Sequence, residues 1–356
     1  MSLENLLLGD AALAPYLTDK PSRSLTGAVR ALIAQQLENW PELNKAHEFL
    51  KQALFRTLQL HDLAITLQCN PGRMISAGAP VDKESVSKRP CFLCLQNLPA
   101  EQRALLYCDE WLILNNPAPL FSDHLVISHT GHCLQRIEPA LPAMISLTRE
   151  LDFSFIAFYN GPACGASAPD HLHFQMAPAG AIPLVTQISG LIEKNSASPI
   201  LKKIEESPQG TCFTGYLDFR SVFICKTQSP DFLQERFSRV PYSLPAACSG
   251  EEEAMVNVII AGSGETYYGI LFPRKAHRPS CYFNDGPDKM VVSPGAVDVG
   301  GLLILPRRED FEKINREMIL SIFGEVCQGP EVFSGLGIRG SSTLRSVKKN
   351  KHIGNY

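Results

Sequence analysis

The sequence has no uninterrupted apolar run approaching the roughly 20 residues that a membrane-spanning helix needs. It has no excess of positive charge either: 33 lysines and arginines stand against 36 aspartates and glutamates, for a formal net charge of −3 at pH 7. Polynucleotides and anionic membranes are held largely by a positive field, so neither is an expected partner. Any chemistry on phosphates must therefore use local positive groups.

Cysteines are present, but they do not form the pattern of a disulfide framework. Eleven of them are scattered along a long chain, and the close pair is Cys91 and Cys94. Residues 1–10 contain no basic segment followed by a long apolar run, the pattern of secretory signals. We therefore expect a reduced, cytoplasmic protein.

Helical patterns dominate the first part of the chain. Apolar residues recur at intervals of three and four between Ser24 and Leu58, with an interruption at Trp40 and Pro41. This spacing predicts two amphipathic helices, which form an N-terminal helical region over residues 1–60.

Short apolar segments separated by turns make up most of the rest. They predict strands at 104–107, 111–115, 124–128, 153–159 and 165–175, with a helix at 134–151. A second series predicts strands near 219–226, 255–260, 267–272 and 300–305, then a helix at 309–327. Connections this short favour antiparallel pairing. We expect an α+β fold with mainly antiparallel sheets and flanking helices, in two halves at 61–205 and 206–335, and a basic tail at 336–356.

The spacing of Cys91 and Cys94 is typical of zinc sites and of redox motifs. Pro90 precedes the pair and Pro99 soon follows it, which does not suit the strand-to-helix junction of a thioredoxin-type motif. A tetrahedral zinc ion needs two more ligands, and the candidates downstream are His124, His129, His132 and His171. Two buried structural cysteines are the alternative.

A second polar cluster occurs in the segment His171-Leu172-His173-Phe174-Gln175. On a strand, both histidines and Gln175 share one face, while Leu172, Phe174 and Met176 take the other. The preceding segment, 160–167, is rich in glycine and small residues, which lets backbone N–H groups approach phosphate oxygens. The pattern indicates a phosphate-handling site beside a core face.

This segment and its glycine-rich approach resemble the motif of the histidine-triad superfamily, in its branch of galactose-1-phosphate uridylyltransferases and GDP-L-galactose phosphorylases. The stretch around Cys91 and Cys94 is similar to the uridylyltransferases, whereas the plant phosphorylases do not share the cysteine pair, and the stretch from Asp298 to Phe311 is similar to the GDP-sugar phosphorylases. The resemblance implies two histidine-triad-like halves. It implies His173 as the nucleophile that forms a covalent nucleotidyl intermediate, and Gln175 as a neutral hydrogen-bond donor.

The resemblance also implies a structural zinc ion bound by Cys91, Cys94, His132 and His171, with His129 as an alternative third ligand. The implied substrate-binding residues in the glycine-rich approach are Asn160, Gly165 and Ser167. Positive charge for the diphosphate is expected from Arg73, and from Arg274 and Lys275 in the basic segment 272–279.

The function implied by the resemblance is a nucleotidyltransferase that acts on nucleoside diphosphate sugars, foremost a GDP-sugar phosphorylase. Such an enzyme converts the nucleotide sugar and phosphate into nucleoside diphosphate and sugar 1-phosphate. Alternatives are a hexose-1-phosphate uridylyltransferase-type enzyme, a dinucleoside polyphosphate phosphorylase or hydrolase, and a zinc-stabilised nucleotide-binding protein without turnover. Expected partners are the nucleotide sugar, phosphate or a sugar phosphate, and a second subunit in a homodimer.

Overall fold

The computed structural model describes residues 2–17, 24–73, 83–194, 200–244 and 253–334. The basic tail expected at 336–356 lies outside this range. Within it, no helix is both long enough and apolar enough to cross a membrane. The strands are β1 (Leu54–Gln59), β2 (Ala64–Cys69), β3 (Ala104–Tyr107), β4 (Trp111–Asn115), β5 (Leu125–His129), β6 (Phe155–Asn160), β7 (His173–Pro178), β8 (Leu201–Ser207), β9 (Gly210–Leu217), β10 (Arg220–Thr227), β11 (Val256–Ser263), β12 (Thr266–Pro273) and β13 (Leu302–Leu305).

The described helices flank these strands at both ends of the chain and between the sheet segments. They are α1 (Leu3–Leu6), α2 (Asp10–Leu13), α3 (Leu25–Asn39), α4 (Pro41–Lys51), α5 (Lys83–Ser87), α6 (Ile137–Glu150), α7 (Pro183–Lys194), α8 (Pro230–Arg239), α9 (Ser280–Phe283), α10 (Ala296–Val299), α11 (Arg308–Lys313) and α12 (Arg316–Val326).

Ten strands form one large sheet in the order β3-β4-β5-β7-β6-β11-β12-β10-β9-β8. Every neighbouring pair in it is antiparallel. Strands β3 to β7 form one half of the sheet and β8 to β12 form the other. The halves join where β6 pairs with β11, with Tyr159 opposite Val258. The expected α+β fold with a mainly antiparallel sheet and flanking helices is confirmed.

The N-terminal helices occur as predicted, but they end earlier. Helix α3 stops before Trp40 and α4 begins at Pro41, where a proline suits the first helical turn. The chain leaves the helix after Lys51, and Leu54–Gln59 pairs with β2 as an antiparallel hairpin. The prediction that helical spacing continues to Leu58 is therefore wrong, because cross-strand pairing determines the structure of this segment.

The C-terminal part departs from prediction in several places. β13 pairs in parallel with β2, so a small three-stranded sheet, β1-β2-β13, joins residues from both ends of the described chain. The helix predicted at 309–327 is two helices, because Asn315 caps α12 by accepting the Met318 N–H through its side chain. Strands β8 and β9 were not predicted, and β8 crosses the boundary drawn at residue 205.

The two faces of the large sheet have different coverings. Helices α3, α6 and α8 bury one face, where Leu147, Phe223 and Phe237 belong to the largest apolar cluster. The opposite face carries Ile156, Phe158 and Ile259, packed with residues of α7 and α10. A side chain on β7 therefore enters the helix-covered core or the opposite side, according to its position in the strand.

Candidate active site and metal site

Alternation along β7 separates core residues from cavity residues. Leu172, Phe174 and Met176 belong to the helix-covered apolar cluster. His173 and Gln175 point to the opposite side, where they line a cavity of about 560 Å³. The strand begins at His173, so His171 lies just before it and turns its side chain towards the two cysteines.

In the imidazole of His173, one nitrogen is hydrogen-bonded to the backbone and the other is able to act as a nucleophile. Its Nδ1 lies 2.8 Å from the carbonyl oxygen of His171, which requires the ring proton on Nδ1. The neutral ring therefore keeps an unprotonated Nε2. Burial, the largest cause, lowers the pKa of His173 to about 4, so the ring is neutral near pH 7.

Gln135 holds the start of β7 in position. Its Oε1 accepts the His173 N–H at 2.9 Å, and its Nε2 donates to the carbonyl oxygens of His173 and Asn160, both at 2.9 Å. The carboxamide therefore bridges β6 and β7 beyond their last backbone pair, Phe158 with Gln175. Sequence reasoning missed this residue, because a single glutamine before a helix has no distinguishing pattern.

His124 and Asn116 determine how Gln175 is oriented. The Leu120 N–H donates to His124 Nδ1 at 3.0 Å, so the neutral His124 ring carries its proton on Nε2. That nitrogen lies 2.8 Å from Gln175 Oε1, which also accepts from Asn116 Nδ2 at 3.2 Å. With its oxygen engaged by two donors, Gln175 presents its NH₂ group as the end available to a ligand. His124, a candidate zinc ligand in the sequence, serves Gln175 instead.

His124 should make the stability of the protein depend on pH. Burial, with a smaller effect of the Arg73 charge, lowers the pKa of His124 to about 3, whereas an unfolded histidine titrates near 6.5. Between these values the unfolded chain binds a proton that the folded chain does not. We expect His124 by itself to lower the free energy of unfolding by about 1.4 kcal/mol per pH unit as pH decreases through this window.

Urea unfolding at pH 7 and pH 5 measures this contribution in wild type and in His124→Gln. The variant should lose less stability between the two pH values than wild type. His61→Gln, at an exposed histidine, is the matched control and should keep the wild-type difference. Equal pH dependence in wild type and His124→Gln would contradict the prediction.

Two cysteines and two histidines converge on a second site beside the cavity. Cys91 Sγ lies 3.3 Å from His171 Nδ1, and Cys94 Sγ lies 3.2 Å from His132 Nδ1. One ligand atom from each residue lies within 4.8 Å of the other three. Zinc bonds of 2.0–2.3 Å in a tetrahedron place ligand atoms roughly 3.5 Å apart, so this cluster could hold a metal ion and its donors are compatible with zinc.

The surroundings of the cluster favour metal binding through Nδ1 of His171. The Nε2 of this ring lies 2.9 Å from the His129 carbonyl oxygen, so it carries the proton and leaves the Nδ1 lone pair for an ion. His132 Nε2 lies 3.8 Å from Asp170 Oδ2, a carboxylate behind a second ligand. His129 itself is outside the cluster, because its Nδ1 accepts the Gly131 N–H at 3.0 Å.

The glycine-rich segment forms the cavity wall between the two halves. Asn160, Gly165 and Ser167 all line the cavity, as does Arg73. Gly165 has φ +117°, a conformation that favours glycine, and a Cβ there would lie 3.1 Å from the Cα of Gly295, which is a tight contact. The segment thus packs closely against the loop before α10.

Arg274 and Lys275 do not occupy the positions expected of them. Arg274 is buried and absent from the cavity wall, and its donors contact Asn257 Oδ1 and the carbonyl oxygens of Pro294 at 2.9 Å and Val326 at 3.0 Å. Lys275 is exposed and also outside the cavity wall. The expectation that they bind the diphosphate is therefore corrected. The Arg274 guanidinium is held by hydrogen bonds within the fold, and the Lys275 ammonium faces solvent.

Part of the cavity wall is formed by apolar side chains. Its apolar side chains include Phe92, Leu93, Leu98, Leu114 and Val126. Asn115 is 3% exposed, and its Nδ2 has no hydrogen-bond partner among the described residues. A buried donor without an acceptor costs about 1–3 kcal/mol, and because this nitrogen has almost no accessible surface it is not offered to the cavity.

Comparisons with known proteins support the fold. Residues 32–178 match a family described as "Domain of unknown function (DUF4922)". No curated protein matches the sequence. The crystal structure of yeast Ap4A phosphorylase Apa2 is similar at 14% identity and a TM-score of 0.53, covering 81% of this chain and 95% of that one. The same enzyme in complex with Ap4A gives 13% identity, a TM-score of 0.53, and coverage of 83% and 97%. The chain therefore shares the fold of these structures.

Proposed function

We propose that this protein is a nucleotidyltransferase that carries a nucleoside monophosphate on His173. The observation that carries the proposal is the hydrogen bond from His173 Nδ1 to the His171 carbonyl, which leaves an unprotonated Nε2 in a large cavity. A neutral imidazole with a fixed tautomer is a competent nucleophile. The described cavity wall also carries Arg73, Arg89 and Arg278 against a single carboxylate, Asp298, which favours an anionic substrate.

In the first step, His173 Nε2 attacks the α-phosphorus of the donor in line. The bond from this phosphorus to the bridging oxygen breaks, and the leaving phosphate takes the electron pair. The ring becomes positively charged, and the His171 carbonyl stabilises it through the Nδ1–H. The Gln175 NH₂ donates to a phosphoryl oxygen, while the nucleoside contacts apolar side chains of the cavity wall such as Leu114 and Val126.

For the donor, we propose a nucleoside diphosphate sugar, foremost a GDP-sugar, with phosphate as the acceptor. The string from His171 to Gln175 supports this choice, since it is similar to that of the GDP-L-galactose phosphorylases. A second candidate donor is a dinucleoside polyphosphate, because the fold is shared with yeast Ap4A phosphorylase. The two donors differ in the leaving group. Attack at the α-phosphorus expels a sugar 1-phosphate from the first and a nucleoside polyphosphate from the second.

The zinc ion proposed for Cys91, Cys94, His132 and His171 has a structural role. These four residues would fill the usual coordination of zinc, so the ion would supply rigidity and no activated water. His171 connects the two sites: its ring belongs to the cysteine cluster and its carbonyl oxygen accepts from His173. Fixing the His171 ring therefore also fixes the orientation of the nucleophile.

The proposed function is tested by incubating the protein with GDP-, UDP- and ADP-sugars and with Ap4A. Without phosphate, intact mass after rapid quenching should show one nucleoside monophosphate bound per chain. With phosphate, nucleoside diphosphate should accumulate over many turnovers. If neither the adduct nor the nucleoside diphosphate formed with any donor of the panel, the proposed nucleotidyltransferase activity would be wrong.

A further inference from the structure

Two buried side chains of the C-terminal half lie behind the cavity and have no part in the step above. Asn257 is on β11, directly opposite Asn160 of β6, where the two halves of the sheet join. Arg274 follows β12, the strand on the other side of β11. Asn257 is 0% exposed and Arg274 is 2% exposed, and of these three residues Asn160 alone reaches the cavity wall. The three side chains form one series of contacts that ends at the cavity.

The direction of the hydrogen bonds along this series is fixed at its buried end. A guanidinium can only donate, so the contact of Arg274 Nη1 requires the Asn257 oxygen at that end. The Asn257 NH₂ group therefore lies at the other end, where it donates to Asn160 Oδ1 and to the Cys164 carbonyl oxygen, both at 2.9 Å. Asn160 Oδ1 also accepts the Ala296 N–H at 2.7 Å. With its oxygen engaged by two donors, Asn160 presents its NH₂ group as the end available to a ligand.

Packing holds the same carboxamide in place. A Cβ at Gly295 would lie 2.9 Å from Asn160 Oδ1, and a Cβ at Gly165 would lie 3.3 Å from it. The glycine-rich segment and the loop before α10 therefore both approach this oxygen closely. Turning the carboxamide over would set its NH₂ group against the donors of Asn257 and Ala296, so both hydrogen bonds would be lost.

The NH₂ group of Asn160 lies on the same side of the sheet as the proposed nucleophile. Alternation along β6 places Asn160 on the face of Phe158, which is paired with Gln175 of β7. The Gln135 carboxamide bridges the carbonyl oxygens of Asn160 and His173, both at 2.9 Å. Ionised phosphoryl oxygens only accept hydrogen bonds, so an NH₂ group across from His173 suits the phosphoryl group that the ring attacks.

We propose, on the basis of the proposed function, that Asn257 is a positioning residue for nucleotidyl transfer. Oriented by Arg274, it holds the Asn160 carboxamide so that the NH₂ group donates to a phosphoryl oxygen of the nucleotide. Arg274 thereby acts on the phosphate through two carboxamides and not by direct contact.

The test measures the rate at which the nucleotidyl-enzyme forms in a single turnover, by intact mass after rapid quenching. Asn257→Asp keeps an acceptor for Arg274 but puts an oxygen where Asn160 needs a donor. The Asn160 carboxamide should then turn over and present its own oxygen to the phosphate. Loss of a hydrogen bond to a charged group corresponds to roughly 10- to 100-fold, and the rate should fall by this factor.

A double-mutant cycle distinguishes the positioning of Asn160 from a general structural role. Asn160→Ala should lower the rate by a similar factor, and Asn257→Asp should lower it no further in that background. Asn257→Ala takes the place of Asn257→Asp if that variant does not fold, since Arg274 keeps its hydrogen bonds to backbone carbonyls.

Asn315→Asp is the matched control, because it makes the same chemical change at an exposed residue outside the cavity wall. Asn315 caps α12 by accepting an N–H, and aspartate serves equally well as a cap. This variant should keep the wild-type rate.

The outcomes separate the two proposals. An unchanged rate in Asn257→Asp overturns the positioning role while the nucleotidyl-enzyme, and with it the proposed function, stands. The same holds if Asn257→Asp lowers the rate equally with and without the Asn160 carboxamide, or if Asn315→Asp lowers it as much. If the wild type forms no nucleotidyl-enzyme with any donor, both proposals fail together.

Discussion

His173→Asn should lose nucleotidyl transfer by roughly 10⁴-fold or more, because removing the nucleophile of a covalent mechanism removes both displacement steps. The asparagine side chain has no nitrogen lone pair comparable to Nε2 of the neutral imidazole. We expect no mass adduct in the absence of phosphate and no nucleoside diphosphate above the uncatalysed rate in its presence. A thermal unfolding midpoint within a few degrees of wild type would show that the loss is chemical.

His129→Asn provides the matched control for this substitution. His129 lies on a neighbouring strand, outside both the cavity wall and the cysteine cluster, so its replacement should retain most activity. Titration calorimetry with nucleoside monophosphates completes the comparison. If His173→Asn turned over like wild type, the covalent mechanism would be wrong; a wild type that only binds nucleotide would instead be a nucleotide-binding protein without turnover.

Cys91→Ser should lose the metal ion and a large part of the stability of the protein. An ion present at a thousand times its dissociation constant stabilises the folded state by about 4 kcal/mol, provided that it binds the unfolded chain negligibly. We therefore expect the thermal midpoint to fall by roughly 5 °C, on the usual relation between unfolding free energy and midpoint for a chain of this length. Nucleotidyl transfer should fall as well, since His171 holds both the cluster and His173.

Cys108→Ser is the control for the cysteine substitution. Cys108 is exposed, in the turn between β3 and β4, and is not a member of the cluster. Elemental analysis should find one zinc per chain in wild type and in Cys108→Ser, and close to none in Cys91→Ser. Stoichiometric zinc retained by Cys91→Ser would show that the ion binds elsewhere.

The predictions for His173→Asn and Cys91→Ser both involve His171. His171 contributes its ring to the cysteine cluster and its carbonyl oxygen to the nucleophile two residues later. Strand β7 begins at His173, so His171 lies outside its two-residue alternation and the two histidines serve different sites. The zinc and the nucleophile are therefore proposed as one mechanical unit with separate chemical roles.

Local pattern predicted much of the first half of the fold. Strands β3 and β4 occur at the predicted residues, and α6 lies within the predicted helix. The placement of Leu172, Phe174 and Met176 in the core follows from the two-residue period of a strand. These features depend on neighbours within a few residues, so the sequence alone determines them.

Tertiary structure decided which partner each polar group finds. Arg274 is in a basic segment that suggests phosphate binding, yet its Nε donates to Val326, 52 positions away. His124 looks like a metal ligand, but it orients Gln175, 51 positions along the chain. Arg278 in the same basic segment as Arg274 faces the cavity instead. The sequence shows that these charges and rings exist, but hydrogen bonds across such separations depend on how the strands and loops are brought together, and no periodicity encodes that.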